Sequence, residues 1–149
     1  MKYVFSIPIP SSVWIIVGII TLILAIVLVI TIIPIAFLKI VVSSNRIEIS
    51  APPMYRFTIN KEDVLDIDIV DLRLRSDLKP VIRLFGHGFP GYKVGWFKLA
   101  NDAKAFLAIS TEEKVVLFKL KNGEYVLLTP KDIDRFLEIL KNLDWFRGR

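Results

Sequence analysis

The chain has 149 residues, 54% of them hydrophobic, with no cysteine, one histidine and a formal net charge of +5. Disulfides and Cys-built zinc sites are therefore excluded, and His87 alone leaves little for other soft-metal chemistry. The positive balance does not read as a nucleic-acid footprint, because residues 45–149 hold 18 basic and 15 acidic residues with the signs mixed along the chain, whereas a phosphate-binding surface clusters its cations.

Residues 1–12 carry Pro8 and Pro10, which forbid a regular helix or central strand, and read as an extended lead-in. Tyr3, Phe5 and Trp14 are placed to sit at headgroup level, or are simply isolated aromatics. From Val13 to Ile33 there are 21 residues without a charge. As a helix they span roughly 31 Å, the thickness of a bilayer's hydrocarbon core, and their lack of a polar stripe sets aside a buried core helix. Residues 13–38 are thus expected to be a single transmembrane helix and its exit, with Pro34 ending or kinking it. The apolar run is too long for a cleaved signal peptide and lacks an A-x-A-like site, so a retained signal anchor is the better reading. Lys39, Arg46 and Arg56 follow the span and Lys2 precedes it, which puts the remainder of the chain in the cytoplasm on the positive-inside bias, with the cell membrane as its location.

After Lys39 the pattern becomes alternating. KIVVSSNRIEIS reads as two strands about a Ser-Ser-Asn turn, and RFTI continues the sheet after Pro52 and Pro53. LDIDIVDLRLR reads as a strand with Leu65, Ile67 and Ile69 on one face and Asp66 and Asp68 on the other. A loop SDLKP, a short strand VIRLF and a Gly-rich loop from Gly86 to Gly95 follow. GWFKLA and AKAFLAIS flank Asn101-Asp102, and KVVLFKLK and EYVLL flank Asn122-Gly123, the strongest short hairpin signal. The closing helix is expected to start at Thr129 as N-cap and Pro130 as first helical residue, with Ile133, Phe136, Leu137 and Leu140 forming its apolar stripe. Trp145, Phe146, Arg147 and Arg149 make an aromatic and basic tail over 144–149, either dipping into the interface or frayed.

Several residues are candidates for chemistry. Gly86-His87-Gly88-Phe89-Pro90-Gly91 matches G-x-G-x-x-G, but a strand pattern follows where a dinucleotide site needs a helix N-terminus, so no nucleotide cofactor is expected. The glycines are read as supplying positive φ or close backbone approach in a long loop, with Phe89 as an exposed apolar tip and with Tyr92 and Trp96 divided between contact surface and core. His87 is read as a polar loop residue. Asp66 and Asp68 are read as a solvated outer face rather than an acid–base or hard-metal pair. Arg73 and Arg75 share a face, and either pair with those aspartates or touch anionic headgroups.

The run GHGFPGYKVGWFKL, then KVVLFKLKNGEYVLLTP and the closing helix, together with RIEISAPP and YRFTINKEDVLDIDIV upstream, resembles the bacterial pleckstrin-homology-like (PH-like) domain family. The resemblance covers residues 39–143. It implies an α+β, mainly β fold: a PH-like barrel of about seven antiparallel strands closed by a C-terminal amphipathic helix. It also implies a non-catalytic binding or adaptor module, most often for protein, and no enzyme. Phosphoinositide binding is not implied, since the first hairpin turn offers Arg46 alone. The expected partner surface is Gly86, His87, Gly88, Phe89, Pro90, Gly91 and Tyr92, with Arg73 and Arg75; the expected partner is a protein in or at the same membrane, with a lipid headgroup or small ligand as the alternative.

Overall fold

A computed structural model describes residues 3 and 5–146. Helix α1 (Ser11–Ala36) is followed by strands β1 (Lys39–Val42), β2 (Arg46–Ala51), β3 (Tyr55–Asn60), β4 (Val64–Val70), β5 (Pro80–Phe89), β6 (Tyr92–Leu99), β7 (Lys104–Ile109), β8 (Val115–Leu120) and β9 (Tyr125–Leu128), and then by helix α2 (Ile133–Asn142). The span Ser11–Ile33 is long and apolar enough to cross a membrane. Its large apolar side chains from Val13 to Ile32 stay exposed, and its threonine hydroxyls are satisfied internally, Thr21 Oγ donating to Val17 O at 2.8 Å and Thr31 Oγ to Val27 O at 2.9 Å. The helix runs on to Ala36, so Pro34 does not end it.

The strands form two sheets, one of order β1-β2-β3 and one of order β4-β8-β9-β7-β6-β5. Two expectations are corrected here. The sheets do not close into a barrel: the short turn Lys61–Asp63 carries the chain from one sheet to the other without a shared ladder. The strands are also not all antiparallel, because the Asn122-Gly123 hairpin lays β9 between β8 and β7, where it pairs antiparallel with β8 and parallel with β7. The hairpin signals themselves hold, β6 with β7 and β8 with β9 both pairing antiparallel.

Both faces of the six-stranded sheet are buried at its centre, over β7, β8 and β9. Phe106, Val116, Phe118, Val126 and Leu128 face Ile47, Ile49 and Ile59 of the small sheet, with Phe136 and Leu140 of α2 packed into the same core. On the other face Leu107, Val115, Leu117 and Leu127 lie under Leu72 and Leu78 of the β4–β5 connection. Odd and even residues of one strand thus serve different cores, which is why β7 and β8 are nearly uninterrupted apolar runs.

The second helix starts later than the sequence suggests. Asp132 is its N-cap, accepting from the Arg135 N–H at 3.1 Å, because Thr129 is engaged elsewhere: its Oγ accepts from the Ser110 N–H and its N–H donates to Ala108 O. The apolar stripe is as expected, with Phe136 and Leu140 buried. Trp145 is neither interfacial nor frayed; it is buried, and its Nε1–H donates to Ser43 O at 3.1 Å. Arg147 and Arg149 lie outside the described residues.

Candidate functional site

The segment expected to be a Gly-rich loop is a hairpin. β5 continues through Gly86, His87 and Gly88 to Phe89 and pairs with β6 as far as Phe89↔Tyr92, leaving Pro90 and Gly91 as the turn. Proline followed by a glycine at φ +76° is the residue order a type II turn requires. Gly86 and Gly95 are directly opposed, and a Cβ on Gly86 would meet the Val94 carbonyl oxygen and, at 2.8 Å, the Gly95 Cα. Close backbone approach, one of the two roles expected of these glycines, is what the hairpin uses; Gly86 and Gly95 also adopt positive φ.

β5 is an edge strand and it is unusually apolar on its exposed surface. Val81, Ile82, Leu84, Phe85 and Phe89 are each 51–59% exposed. Two register shifts, between Pro80 and Ile82 and between Arg83 and Phe85, rotate successive side chains outward and explain why no simple alternation is seen. Phe89 ends the strand as an exposed apolar side chain beside the turn. A shallow groove lined by Val81, Arg83, Gly88, Phe89, Lys93 and Phe97 runs along one side of the hairpin. Lys93 is engaged at its far end by Glu112 at 2.7 Å, whereas Arg83 makes no ion pair among the described residues.

His87 is a strand residue that ties the two sheets together. Its Nδ1 lies 2.9 Å from the Tyr55 hydroxyl, and the Tyr55 ring meets Phe85 edge-on with centroids 5.7 Å apart. Burial pushes the Tyr55 hydroxyl above its ordinary pKa, against the opposing charge of Arg83. Tyr92 is half-buried against the main core, its hydroxyl enclosed without a hydrogen-bond partner among the described residues and likewise pushed up by burial. Trp96 belongs to the core periphery, edge-on to Phe57 and Phe106 with Lys104 Nζ 4.2 Å from its ring centre.

Arg73 and Arg75 are not on a strand, because β4 ends at Val70 and Leu72 turns inward to cover the second core. Arg73 forms a fork on Asp71, at 3.0 and 2.7 Å, and reaches Glu113 at 2.7 Å; Arg75 forms a fork on Asp77 at 2.9 and 2.8 Å. These partners, and not Asp66 and Asp68, hold them, and the structure does not join them to the hairpin. Asp66 and Asp68 instead serve the backbone. Their side chains accept from the N–H groups of Ile67, at 3.0 Å, and Ile69, at 2.8 Å. The Leu120 N–H points to Glu124 on the β9 side, so Leu117 and Lys119 turn theirs to β4 and pair with Asp68 and Asp66, and the N–H groups of Ile67 and Ile69 between them point to the free edge.

A cavity of about 580 Å³ opens at that other edge, between β4, Asn45 and Trp145. Its polar groups are partly committed, Lys61 Nζ donating to Leu143 O at 2.7 Å and Asn60 Nδ2 to Asp63 at 3.0 Å. No three His, Asp or Glu side chains are grouped to hold a metal ion among the described residues. Sequence reasoning missed Val81, Ile82, Arg83, Leu84 and Phe85 as surface residues, although the run VIRLF, apolar and without alternation beside a Gly-x-Gly, carried the signal.

The chain thus builds a mainly β domain of two sheets with a closing amphipathic helix, and presents an apolar hairpin at one sheet edge. The sequence profile of the bacterial PH domain family matches residues 38–143, and the chain belongs to that family. PH domains are in general non-catalytic binding modules. No curated protein and no solved structure matches the chain.

Proposed function

We propose that this chain is a single-pass membrane protein in which α1 anchors a non-catalytic PH-domain adaptor at the cytoplasmic surface of the cell membrane, where it recruits a protein partner in or at the same membrane. The observation that carries the reading is the β5–β6 hairpin, on which five large apolar side chains lie exposed on one edge strand. Exposed apolar clusters of this kind mark interaction sites. Anchoring raises the effective concentration of partners in the same bilayer without any new contact. A headgroup-binding role has less support, because Arg73 and Arg75 are committed to Asp71, Glu113 and Asp77.

The test is photo-crosslinking in native membranes from a reactive analogue at position 89. A discrete protein adduct, lost on Leu84→Glu, is expected. Adducts confined to lipid would overturn the adaptor role in favour of headgroup binding.

A further inference from the structure

The six-stranded sheet has two edges, and the chain treats them differently. On β4 the outward N–H groups of Ile67 and Ile69 are occupied by the side chains of Asp66 and Asp68, so an incoming strand finds them already bonded. On β5, ten residues long, no side chain takes an edge N–H or carbonyl among the described residues. A strand edge that is long, apolar and uncapped is a template for another strand.

The charges on that edge narrow the occupant. From Lys79 to Phe89 the chain has Lys79, Arg83 and His87 and no carboxylate. Neither Lys79 nor Arg83 is ion-paired among the described residues, although Asp and Glu elsewhere hold Arg46, Arg73, Arg75, Lys93, Lys98 and Lys114. A second copy of this chain, pairing β5 with β5, brings another basic edge with no acid to answer it, and like charges placed opposite one another destabilise a strand pair. An extended segment alternating apolar and acidic residues answers both features: its backbone takes the free edge, a carboxylate on one face reaches Arg83 in the groove beside Phe97, and its apolar side chains on the other face cover Phe85.

We infer that β5 recruits its partner by strand addition, and that the partner contributes an extended apolar and acidic segment. This deepens the adaptor role proposed above and rests on it. The probe is a ten-residue synthetic peptide of alternating valine and glutamate, added to the full chain in lipid nanodiscs, with backbone hydrogen exchange read residue by residue. Binding is expected to slow exchange in β5 and leave β4 unchanged. N-methylating alternate amides of the peptide is expected to abolish binding, since it removes one row of donors. Arg83→Glu, a surface change that leaves the cores intact, is expected to weaken the glutamate peptide by about tenfold and to favour a valine–lysine peptide instead.

Binding indifferent to N-methylation or to Arg83→Glu overturns the inference, as does absence of binding. Protection of β5 that grows with protein concentration without peptide assigns the edge to a second copy and overturns it; protection that requires only anionic vesicles assigns it to the membrane and does the same. A protein adduct from position 89 combined with no peptide protection of β5 leaves the adaptor role standing and removes strand addition alone.

Discussion

β4 and β5 bound the same six-stranded sheet, yet only β4 covers its own backbone. Its outward N–H groups at Ile67 and Ile69 are capped by the aspartates that precede them. β5 has no such capping among the described residues; instead it sits against β6 through the Gly86–Gly95 approach and turns Val81, Ile82, Leu84, Phe85 and Phe89 to solvent. The contrast separates two ways of treating an edge. One edge is protected against unwanted pairing by two half-buried carboxylates. The other is left uncapped among the described residues, as strand addition requires.

The largest effect that bears on this contrast comes from closing the glycine contact. In Gly95→Val the new side chain meets the Phe85 carbonyl oxygen and, at 2.6 Å, the Gly86 Cα, from a backbone at φ +125°. Overpacking and an unfavourable φ together are expected to cost about 3 kcal/mol and to detach β5, read as a lowered denaturation midpoint of the full chain in detergent. Gly91→Ala at φ +76°, with nothing within 4 Å, is the control and is expected to cost about 1 kcal/mol. Equal losses for the two would mean that the close approach is not what holds the edge strand.

Uncapping the other edge comes next. Asp66→Ala with Asp68→Ala removes the acceptors for two N–H groups, a loss of about 1 kcal/mol each, and makes β4 available to other strands. Concentration-dependent association in sedimentation is the expected outcome. The Asn pair, which keeps an acceptor oxygen and removes the charge, is expected to remain monodisperse. A monodisperse alanine variant would remove the capping role from these aspartates.

How much of this is legible in the sequence depends on where the cause lies. β1 and β2 are set by local alternation, and β6, β7, β8 and β9 by apolar runs bounded by turn residues such as Asn122-Gly123, and those signals are in the letters. Arg73 and Arg75 look like strand residues because Leu72 and Leu74 alternate with them, but Leu72 is drawn into the second core and the strand ends at Val70. The hairpin at Gly86 to Gly95 reads as a loop because glycine is poor in strands, whereas here its missing Cβ is what allows the two backbones to meet. The capping aspartates are invisible for another reason: an Asp-x-Asp strand reads as a solvated face unless the strand is known to be an edge, and edge status is decided by topology. The same holds for the exposed row on β5.

A smaller effect separates the two tyrosines beside the open edge. Tyr55→Phe removes the hydrogen bond to His87 and is expected to cost about 1 kcal/mol; Tyr92→Phe removes a buried hydroxyl that has no partner among the described residues and is expected to be neutral or stabilising. Both hydroxyls have pKa values raised by burial, so the protonated forms stabilise the fold below the ordinary tyrosine value of about 10, and that contribution is lost as pH rises through the raised values. Either Phe variant is therefore expected to flatten the alkaline limb of a stability–pH profile. An unchanged limb in both would show that other groups set it.

The smallest effect falls on the segment that joins the two edges. Between β4 and β5, Asp71 is held below the usual carboxylate range by the Arg73 guanidinium, and Asp77 by that of Arg75. Their pKa values are lowered on folding, so the stabilisation is complete above the unfolded value of about 3.9 and is lost as pH falls through the depressed folded values. Asp77 is exposed and Asp71 partly so, and solvent screening keeps the effect local. The expected result on acidification below pH about 4 is faster hydrogen exchange over residues 71–78, where Leu72 and Leu78 cover the second core, while β7 and β8 beneath remain protected. Arg73→Gln and Arg75→Gln are expected to bring that fast exchange to neutral pH without loosening β5, because the ion pairs of these arginines lie within the connection and on Glu113, away from the hairpin. Loosening of β5 in those variants would instead mean that the connection between the edges governs how open the apolar one is.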